Sequence, residues 1–268
     1  MTDPRRIEVE IELPVTPEQA WQAIATGAGI TAWFMPADVD EKVGGSVVHH
    51  HEADMSSSGT VSAYDPPHRF AYEENAEEFA PDEAGPPVTA TEFLVEARGG
   101  DACIVRVVMS GFGEGDAWDQ AIESFTAGWR QALQSLRLYL THFRGEPVGS
   151  VNVGGFIAGD QSAGWTWLTQ RLGLPAAPQA GEKVATEAAG VPALAGTVEQ
   201  AGERMMTLML DMPARGIGLV GAGGAGDETF VTVRAQLYGQ EAAQAAAREQ
   251  AAWKTWFAGN LERTQRPE

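Results

Sequence analysis

Three consecutive histidines, His49, His50 and His51, are the first residues in this sequence whose type suggests chemistry. They belong to a segment with the character of a strand, in which alternate residues face opposite sides. At most His49 and His51 therefore share a face, and two ligands are too few for a structural zinc site. If that face is concave, both imidazoles can orient a ligand or, with Glu52 or Asp54 nearby, transfer a proton. Structural histidines, ligand contacts, and metal binding or catalysis remain open as alternatives.

Two other segments resemble functional signatures but lack the required context. The glycine spacing from Gly221 to Gly226 matches a dinucleotide-binding loop, yet residues 227–233 have the pattern of a strand and not of the helix that such a site needs. We interpret this segment as a hairpin loop. The single cysteine, Cys103, lies in a strand-like run with no histidine nearby in sequence to activate it. The sequence therefore predicts no catalytic nucleophile, no metal site and no cofactor.

Seven aromatic side chains in the first half of the chain are candidates for the lining of an apolar pocket. Filling a hydrophobic core is the commoner fate of such residues, and the sequence does not decide between the two. Together with the two histidines of one face they form the candidate ligand-binding set: Trp21, Trp33, His49, His51, Phe70, Tyr72, Phe93, Phe125 and Trp129.

The longest predicted element is an amphipathic helix from Asp116 to Phe143. Its apolar residues recur at steps of three and four, which places them on one helix face. Asp116 is in position to cap the helix, whose 28 residues span roughly 40 Å. Gly128 is unusual in the middle of a helix, so we expect close approach of the backbone to the sheet or to a cavity there. The apolar positions are Trp118, Ile122, Phe125, Trp129, Leu133, Leu136, Leu140 and Phe143.

Strands and two short helices are predicted before this helix. Apolar residues alternate with glutamates from Ile7 to Leu13, which is typical of a strand with one buried face. Thr16 and Gln19 form a capping box at the start of a helix, which Gly27 and Gly29 are expected to break, and a second small helix is predicted from Ile30 to Phe34. Closely spaced strands separated by turn residues favour an antiparallel meander, with an acidic loop over residues 77–87. The predicted strands are residues 42–52, 59–65, 69–75, 89–98 and 102–110.

The second half repeats the order of the first after a glycine-rich stretch, residues 145–155, which we interpret as a linker. A short helix, several strands and a terminal helix are predicted there. Local echoes support a duplication, because Gly59-Thr60-Val61 recurs as Gly196-Thr197-Val198 and Glu41-Lys42-Val43 as Glu182-Lys183-Val184. We expect two domains, residues 1–145 and 146–268. The second-half elements are a helix over 165–172, strands over 205–212, 217–220 and 230–238, and a helix over 241–263.

The charge of the chain limits its partners. Lysine and arginine total 18 against 37 aspartate and glutamate, a formal charge of −19, which repels nucleic acids and anionic lipid surfaces. Residues 1–145 contain 9 basic and 24 acidic side chains, so their net charge is −15. The first residues show neither a secretory h-region nor an apolar run near the ~18 residues of a membrane span. We expect a cytoplasmic location.

Six short motifs occur in an order that resembles a known family, the Hsp90 ATPase activator homologue-like (AHSA1-like) proteins. This resemblance covers about residues 7–144 and implies the helix-grip fold of START and Bet v 1-type proteins. In that α+β fold a curved antiparallel sheet wraps around a long C-terminal helix, and the echoes predict a second, divergent copy. The motifs are Val15-Thr16-Pro17-Glu18-Gln19-Ala20-Trp21, Trp33-Phe34, Val43-Gly44-Gly45, Gly59-Thr60-Val61, Pro66-Pro67-His68-Arg69-Phe70 and Gly128-Trp129 with Leu136, Tyr139 and Leu140.

The resemblance implies a cavity between sheet and long helix but no single activity. The leading hypothesis is a non-catalytic protein that holds a small apolar or amphipathic ligand in the first domain. A second hypothesis is a protein–protein module that docks on a chaperone or another partner, and a third is a cyclase or hydrolase that uses His49 or His51. The sequence leaves the ligand and the oligomeric state open.

Overall fold

The computed structural model describes residues 5–51, 55–75, 88–224 and 228–261. The chain divides into two compact units, Met1–Arg144 and Gly145–Glu268. Each unit contains one antiparallel sheet and ends in a helix that packs on it. Three predicted features, Glu52, Asp54 and the acidic loop over residues 77–87, lie outside the described residues.

The first unit contains seven strands and three helices among the described residues. The sheet order is β1-β7-β6-β5-β4-β3-β2, with antiparallel neighbours throughout, so the predicted meander is confirmed. The elements are β1 (Arg6–Leu13), α1 (Pro17–Ile24), α2 (Gly27–Thr31), β2 (Ala37–Val39), β3 (Ser46–His50), β4 (Ser56–Asp65), β5 (Arg69–Asn75), β6 (Val88–Arg98), β7 (Ala102–Ser110) and α3 (Asp116–His142).

The start of the first unit follows its local sequence signals. In β1 the glutamates are exposed, whereas Ile7, Val9 and Leu13 are buried. The capping box of α1 is present: the Thr16 hydroxyl accepts from the Gln19 backbone N–H, and the Gln19 side chain accepts from the Thr16 N–H. Both predictions are confirmed, because each depends only on neighbours in the sequence.

The second small helix lies earlier than predicted. We expected Gly27 and Gly29 to interrupt helical structure, but both are within α2, where the Thr26 hydroxyl accepts from the Gly29 N–H. A Cβ at Gly29 would lie 1.9 Å from the Gln22 carbonyl oxygen. Gly29 therefore allows α2 to pack closely on α1, whereas a Cβ at Gly27 would lie 2.8 Å from the Ala37 carbonyl oxygen of β2, and both glycines lie within a helix.

The long helix is confirmed, with two corrections. It begins at Asp116, and Gly115 occupies the N-cap position without a side-chain hydrogen bond, so the prediction of Asp116 as the cap is wrong. A Cβ at Gly128 would meet no atom within 4 Å, so the predicted close approach of the backbone to the sheet is wrong there. Of the predicted apolar face, Trp118 and the positions from Trp129 onward are buried, whereas Ile122 and Phe125 are only half-buried.

The second unit has six strands and two helices among the described residues. Its sheet order is β8-β13-β12-β11-β10-β9, again antiparallel. The sequence did not predict β8, β9 or β10. The elements are β8 (Val148–Ala158), α4 (Gln161–Leu172), β9 (Lys183–Ala185), β10 (Ala195–Ala201), β11 (Met205–Met212), β12 (Gly216–Gly223), β13 (Glu228–Tyr238) and α5 (Ala242–Asn260).

The interpretation of residues 145–155 as a linker is wrong from Val148 onward, because β8 begins there. Its glycines allow α5 to lie very close to the strand. A Cβ at Gly149 would approach the Ala242 carbonyl within 2.3 Å, and the Gln250 amide pairs with the backbone N–H and C=O of Asn152. That side chain covers hydrogen-bonding groups that an edge strand leaves open. Glycine enrichment here marks close packing of a helix on a strand.

The two units are copies of one helix-grip topology. In both sheets the first strand pairs with the last. In both units the valine carbonyl of the Gly-Thr-Val motif accepts a hydrogen bond from a glycine N–H: Gly44 donates to Val61, and Gly181 donates to Val198. The strand pairing shifts register directly after each of those valines. The described residues of the second unit contain no counterpart of α2 or β2. A shared hydrogen bond and a shared irregularity at equivalent positions support duplication more strongly than the three-letter echoes.

The interior of the second unit is a continuous apolar core. Residues from α4 and α5, including Trp165, Leu168 and Trp253, pack against the inner faces of the strands. Downstream of Gly221–Gly223, the predicted strand β13 is confirmed, so the helix that a dinucleotide loop requires is not there. No helix of the described residues is long and apolar enough to cross a membrane.

Candidate functional site

Six aromatic side chains form a closed circuit of ring contacts between the sheet of the first unit and α3. Neighbouring ring centroids lie 5.5 to 6.3 Å apart, within the range of favourable aromatic contact. Four elements and the segment after α2 contribute to this aromatic ring. Its members, in order of contact, are His49, Tyr72, Phe70, Phe93, Trp129 and Phe34.

Strand register explains why these side chains meet. Phe70 and Tyr72 share the inner face of β5, and Phe93 of β6 is directly opposite Phe70. His49 is on the inner face of β3, where its side chain is 6% exposed. Trp129 reaches the ring from α3 and stacks on Phe34 with an interplanar angle of 20°. The structure thus brings five of the nine predicted candidates into one cluster.

Two further candidates extend the ring or support it from outside. Trp21 packs edge-on against Phe70 at 6.5 Å and against Tyr64 at 5.1 Å. The Trp33 indole is 2% exposed and its N–H donates to the Ala23 carbonyl at 2.9 Å. Trp33 therefore has the surroundings of a core residue that holds α1 and α2 together.

Phe125 is placed elsewhere than the predicted set implied. It packs against Phe112, 6.2 Å away, and Phe112 also packs against Trp118. Arg5 lies beside this group, where it donates to the Gly113 carbonyl and pairs with Asp119. Phe125 thus belongs to a second aromatic group at the start of α3. The sequence analysis did not include Phe34 among the candidate ligand-binding residues, although Phe34 is a member of the aromatic ring.

A chain of polar side chains adjoins the aromatic ring at His49. His51 Nε2 lies 2.9 Å from Ser57 Oγ, the Ser57 hydroxyl donates to Glu74 Oε1 at 3.0 Å, and His49 Nδ1 lies 3.5 Å from the same oxygen. Since an ionised carboxylate only accepts, Ser57 must use its one proton on Glu74, and His51 Nε2 then donates to Ser57. This polar chain confirms that His49 and His51 share a face. His50 points the other way, where it lies 2.9 Å from Asp38 in an exposed pair.

Glu74 is the functional candidate that the sequence analysis missed. It is 7% exposed and lies two residues beyond Tyr72, on the same face of β5. Gly59 is directly opposite on β4, and a Cβ there would lie 2.8 Å from Glu74 Cγ, so the glycine leaves room for the carboxylate. The period-2 pattern of residues 69–75 would have placed Glu74 beside Phe70 and Tyr72.

Threonines on β6 complete the polar end of the site. Thr89 is directly opposite Glu74 and Thr91 is directly opposite Tyr72, and both are 2% exposed. Burial and, secondarily, the charge of Glu74 raise the pKa of the Tyr72 hydroxyl far above its ordinary value. Tyr72 therefore stays neutral and presents a hydroxyl, which interacts with Thr91, and not a charge.

The arrangement suits binding more than metal chemistry. Among the described residues, no group of three histidine, cysteine or carboxylate side chains is placed to hold a metal ion. The buried thiol of Cys103 has a pKa raised to about 11, chiefly by desolvation, so it is not an activated nucleophile. An open depression of about 340 Å³ next to β4 and β5 is lined by Ser58, Gly59, Thr60, Glu73, Glu74, Asn75 and Val88, most of which are exposed and only one of which, Glu74, belongs to the polar chain.

Comparison with known proteins finds one family. The profile of the family described as activator of Hsp90 ATPase homolog 1-like protein matches residues 14–141, from the end of β1 to the end of α3. No curated protein matches the chain.

Several solved structures have similar folds. BexL, a di-domain ARO/CYC from the BE-7585A biosynthetic pathway, is 12% identical, with 98% of this chain and 100% of BexL covered and a TM-score of 0.46. DynU16, from the dynemicin biosynthetic locus, is 17% identical, with 94% and 95% covered and a TM-score of 0.43. The Aha1 protein from Colwellia psychrerythraea, solved as a dimer, is 20% identical, with 53% of this chain and 99% of that protein covered and a TM-score of 0.42.

Proposed function

Because residues 14–141 place the first unit in the activator of Hsp90 ATPase homolog 1-like family, we propose that this unit is a non-catalytic binding domain for a small amphipathic ligand. The ligand lies between the sheet and α3, with its apolar body against the aromatic ring and its polar end at the chain His51–Ser57–Glu74–His49. The second unit, whose described interior is an apolar core, has a structural role.

The observation that carries this proposal is the burial of a polar chain at one end of an aromatic interior. A domain of this size can fill its core with apolar side chains at lower cost, since a buried carboxylate is favourable only when it is paired. Binding sites combine the same features, namely a mostly apolar lining and a few convergent polar groups. The half-buried Phe34 and Phe125 leave apolar surface accessible near the first half of α3.

A ligand screen with one variant in each unit tests the proposal. Native mass spectrometry of the full chain with lipids and aromatic metabolites identifies binders, and calorimetry measures their affinity. We expect Phe34→Ala to weaken binding by about tenfold, because the ring loses a stacking partner of Trp129. Phe156→Ala is the control, since Phe156 is a partly exposed phenylalanine of the second unit.

Two results would contradict this function. One is the absence of any binder in a broad panel, and the other is equal affinity of the Phe34→Ala and Phe156→Ala proteins for a ligand that does bind. Because Phe34 is half-buried, its truncation leaves the core of the unit intact, and thermal unfolding of the two variants checks this.

A second candidate function, a cyclase or hydrolase that uses the cavity histidines, is favoured by the same polar chain. The links from His51 through Ser57 to Glu74 are of hydrogen-bond length and could pass a proton to or from a bound substrate. The test is the double variant His49→Ala plus His51→Ala in an assay of any turnover found with the bound ligands. Unchanged turnover in that variant would rule this candidate out.

A further inference from the structure

Glu74 has one carboxylate oxygen engaged and one that is not. Ser57 Oγ at 3.0 Å and His49 Nδ1 at 3.5 Å both approach Oε1. Among the described residues no hydrogen bond or ion pair reaches Oε2, although the side chain is 8% exposed. The distance to His49 exceeds the 2.7–2.9 Å or so of a charge-assisted hydrogen bond. The buried negative charge is thus only partly compensated.

A second polar atom without a partner lies beside it. The Thr89 hydroxyl is buried and makes no hydrogen bond with the rest of the described structure. Thr89 is directly opposite Glu74 on the neighbouring strand, where facing Cβ atoms are typically about 5 Å apart. A carboxylate oxygen beside a hydroxyl, which can accept as well as donate, fits a ligand group that carries at least two N–H donors.

Among the described residues of the first unit, no lysine or arginine pairs with Glu74. Its arginines and Lys42 are exposed or engaged elsewhere: Arg69 pairs with Glu92, and Arg106 pairs with the outward-facing Glu10. The sequence stretches 52–54 and 76–87, outside the described residues, contain neither lysine nor arginine. Apart from the imidazoles, a positive charge at Glu74 must therefore come from outside the unit.

The surroundings of Glu74 favour a cation in two further ways. His49 contacts the rings of Tyr72 and Phe34, and aromatic faces attract ammonium groups through their quadrupoles. The net charge of −15 over residues 1–145 attracts cationic ligands to the unit and repels anionic ones. Both effects disfavour a fatty acid or a phosphate ester.

We propose that the ligand of the first unit carries a protonated amine, which pairs with Glu74 Oε2 and donates to Thr89 while an apolar or aromatic body packs on the Phe34–Trp129 end of the ring. This inference rests on the proposed binding function and specifies its ligand class. The primary ammonium has three donors, which matches the two open acceptors and leaves one for water or His49.

Three probes with one body and different polar ends test the class. They are 4-phenylbutylamine, 4-phenylbutanol and 4-phenylbutanoate, each titrated calorimetrically at neutral pH into the full chain. We expect the amine to bind at least about tenfold more tightly than the alcohol, and the carboxylate to bind most weakly. In Glu74→Gln the amine should lose about tenfold in affinity or more, whereas the alcohol changes little.

Glu73→Gln is the matched control, because it removes the same charge from the exposed face of the same strand one residue away. Thermal unfolding of both variants shows whether either has lost its fold. Equal affinities of amine and alcohol for the wild-type chain, or equal losses of amine affinity in both variants, would overturn the amine proposal while leaving the binding function intact. If none of the three probes binds and the broad panel also finds no ligand, the binding function itself fails.

Discussion

Ser57 donates its hydroxyl to Glu74 Oε1 at 3.0 Å and accepts a hydrogen bond from His51 in return. Ser57 is 3% exposed, so water does not readily replace it. At the scale of single residues, the polar chain therefore depends on one side chain that both donates and accepts. Its loss would leave His51 without this partner and Glu74 Oε1 with His49 alone.

We predict that Ser57→Ala destabilises the protein by about 1–3 kcal/mol, the usual penalty for leaving a buried polar group unsatisfied. Urea unfolding followed by circular dichroism measures the change. Ser58→Ala is the control, because Ser58 faces outward from the same strand and is exposed. A Ser57→Ala protein as stable as the control would mean that Glu74 finds other partners, and the description of the polar chain would be wrong.

At the scale of elements, predictions from the sequence succeeded where the determining contacts are local. The alternation of β1, the capping box at Thr16 and the periodicity of α3 each depend on residues within one element, and all three are confirmed. Glycines were misread wherever their role depends on a distant neighbour. Gly29 and Gly149 looked like breakers, yet each permits close approach of backbone from another element.

The candidate site was predictable in part for the same reason. Strand parity placed His49 and His51 on one face and His50 on the other. The pairing of β5 with β6 brings Thr89 opposite Glu74, and that register cannot be obtained from the residues of either strand alone. The division of the aromatics into a ring and a second group with Phe125 likewise depends on where α3 crosses the sheet.

The packing of α5 on β8 leads to a test at this scale. We predict that Gly149→Ala destabilises the protein by about 1–3 kcal/mol, because the new methyl would collide with the Ala242 carbonyl and force α5 away from the strand. Gly259→Ala in α5 meets no atom within 4 Å and should change stability by less than about 0.5 kcal/mol. Chemical unfolding of both full-length variants makes the comparison. Equal stabilities would contradict the close approach of helix and strand.

At the scale of the whole molecule, the uneven charge is the dominant feature. Residues 1–145 have a net charge of −15, whereas residues 146–268, with 9 basic and 13 acidic side chains, have a net charge of −4. On the outer face of the first sheet, the single guanidinium of Arg106 lies within 4 Å of three carboxylates, Glu8, Glu10 and Glu96. Those pairs raise the pKa of Arg106, with the Glu10 hydrogen bond as the main cause, and still leave an excess of negative charge.

This excess allows a direct test of the protein–protein alternative, in which the first unit docks on a chaperone or another basic surface. The Debye length falls from roughly 10 Å at 0.1 M salt to about 4–5 Å at 0.5 M, so added salt screens this charge. We therefore expect the immobilised full chain to capture a partner held by the charge at low salt and to release it at 0.5 M salt. Adding 4-phenylbutylamine serves as an internal control: because the proposed site for the amine is inside the unit, capture by the outer face should persist when the amine is present. Quantitative mass spectrometry of the captured proteins, with and without ligand, reports both effects. If no partner shows salt-dependent capture, the protein–protein alternative fails. The proposed binding of a small ligand at the aromatic ring and Glu74 is not affected by that result.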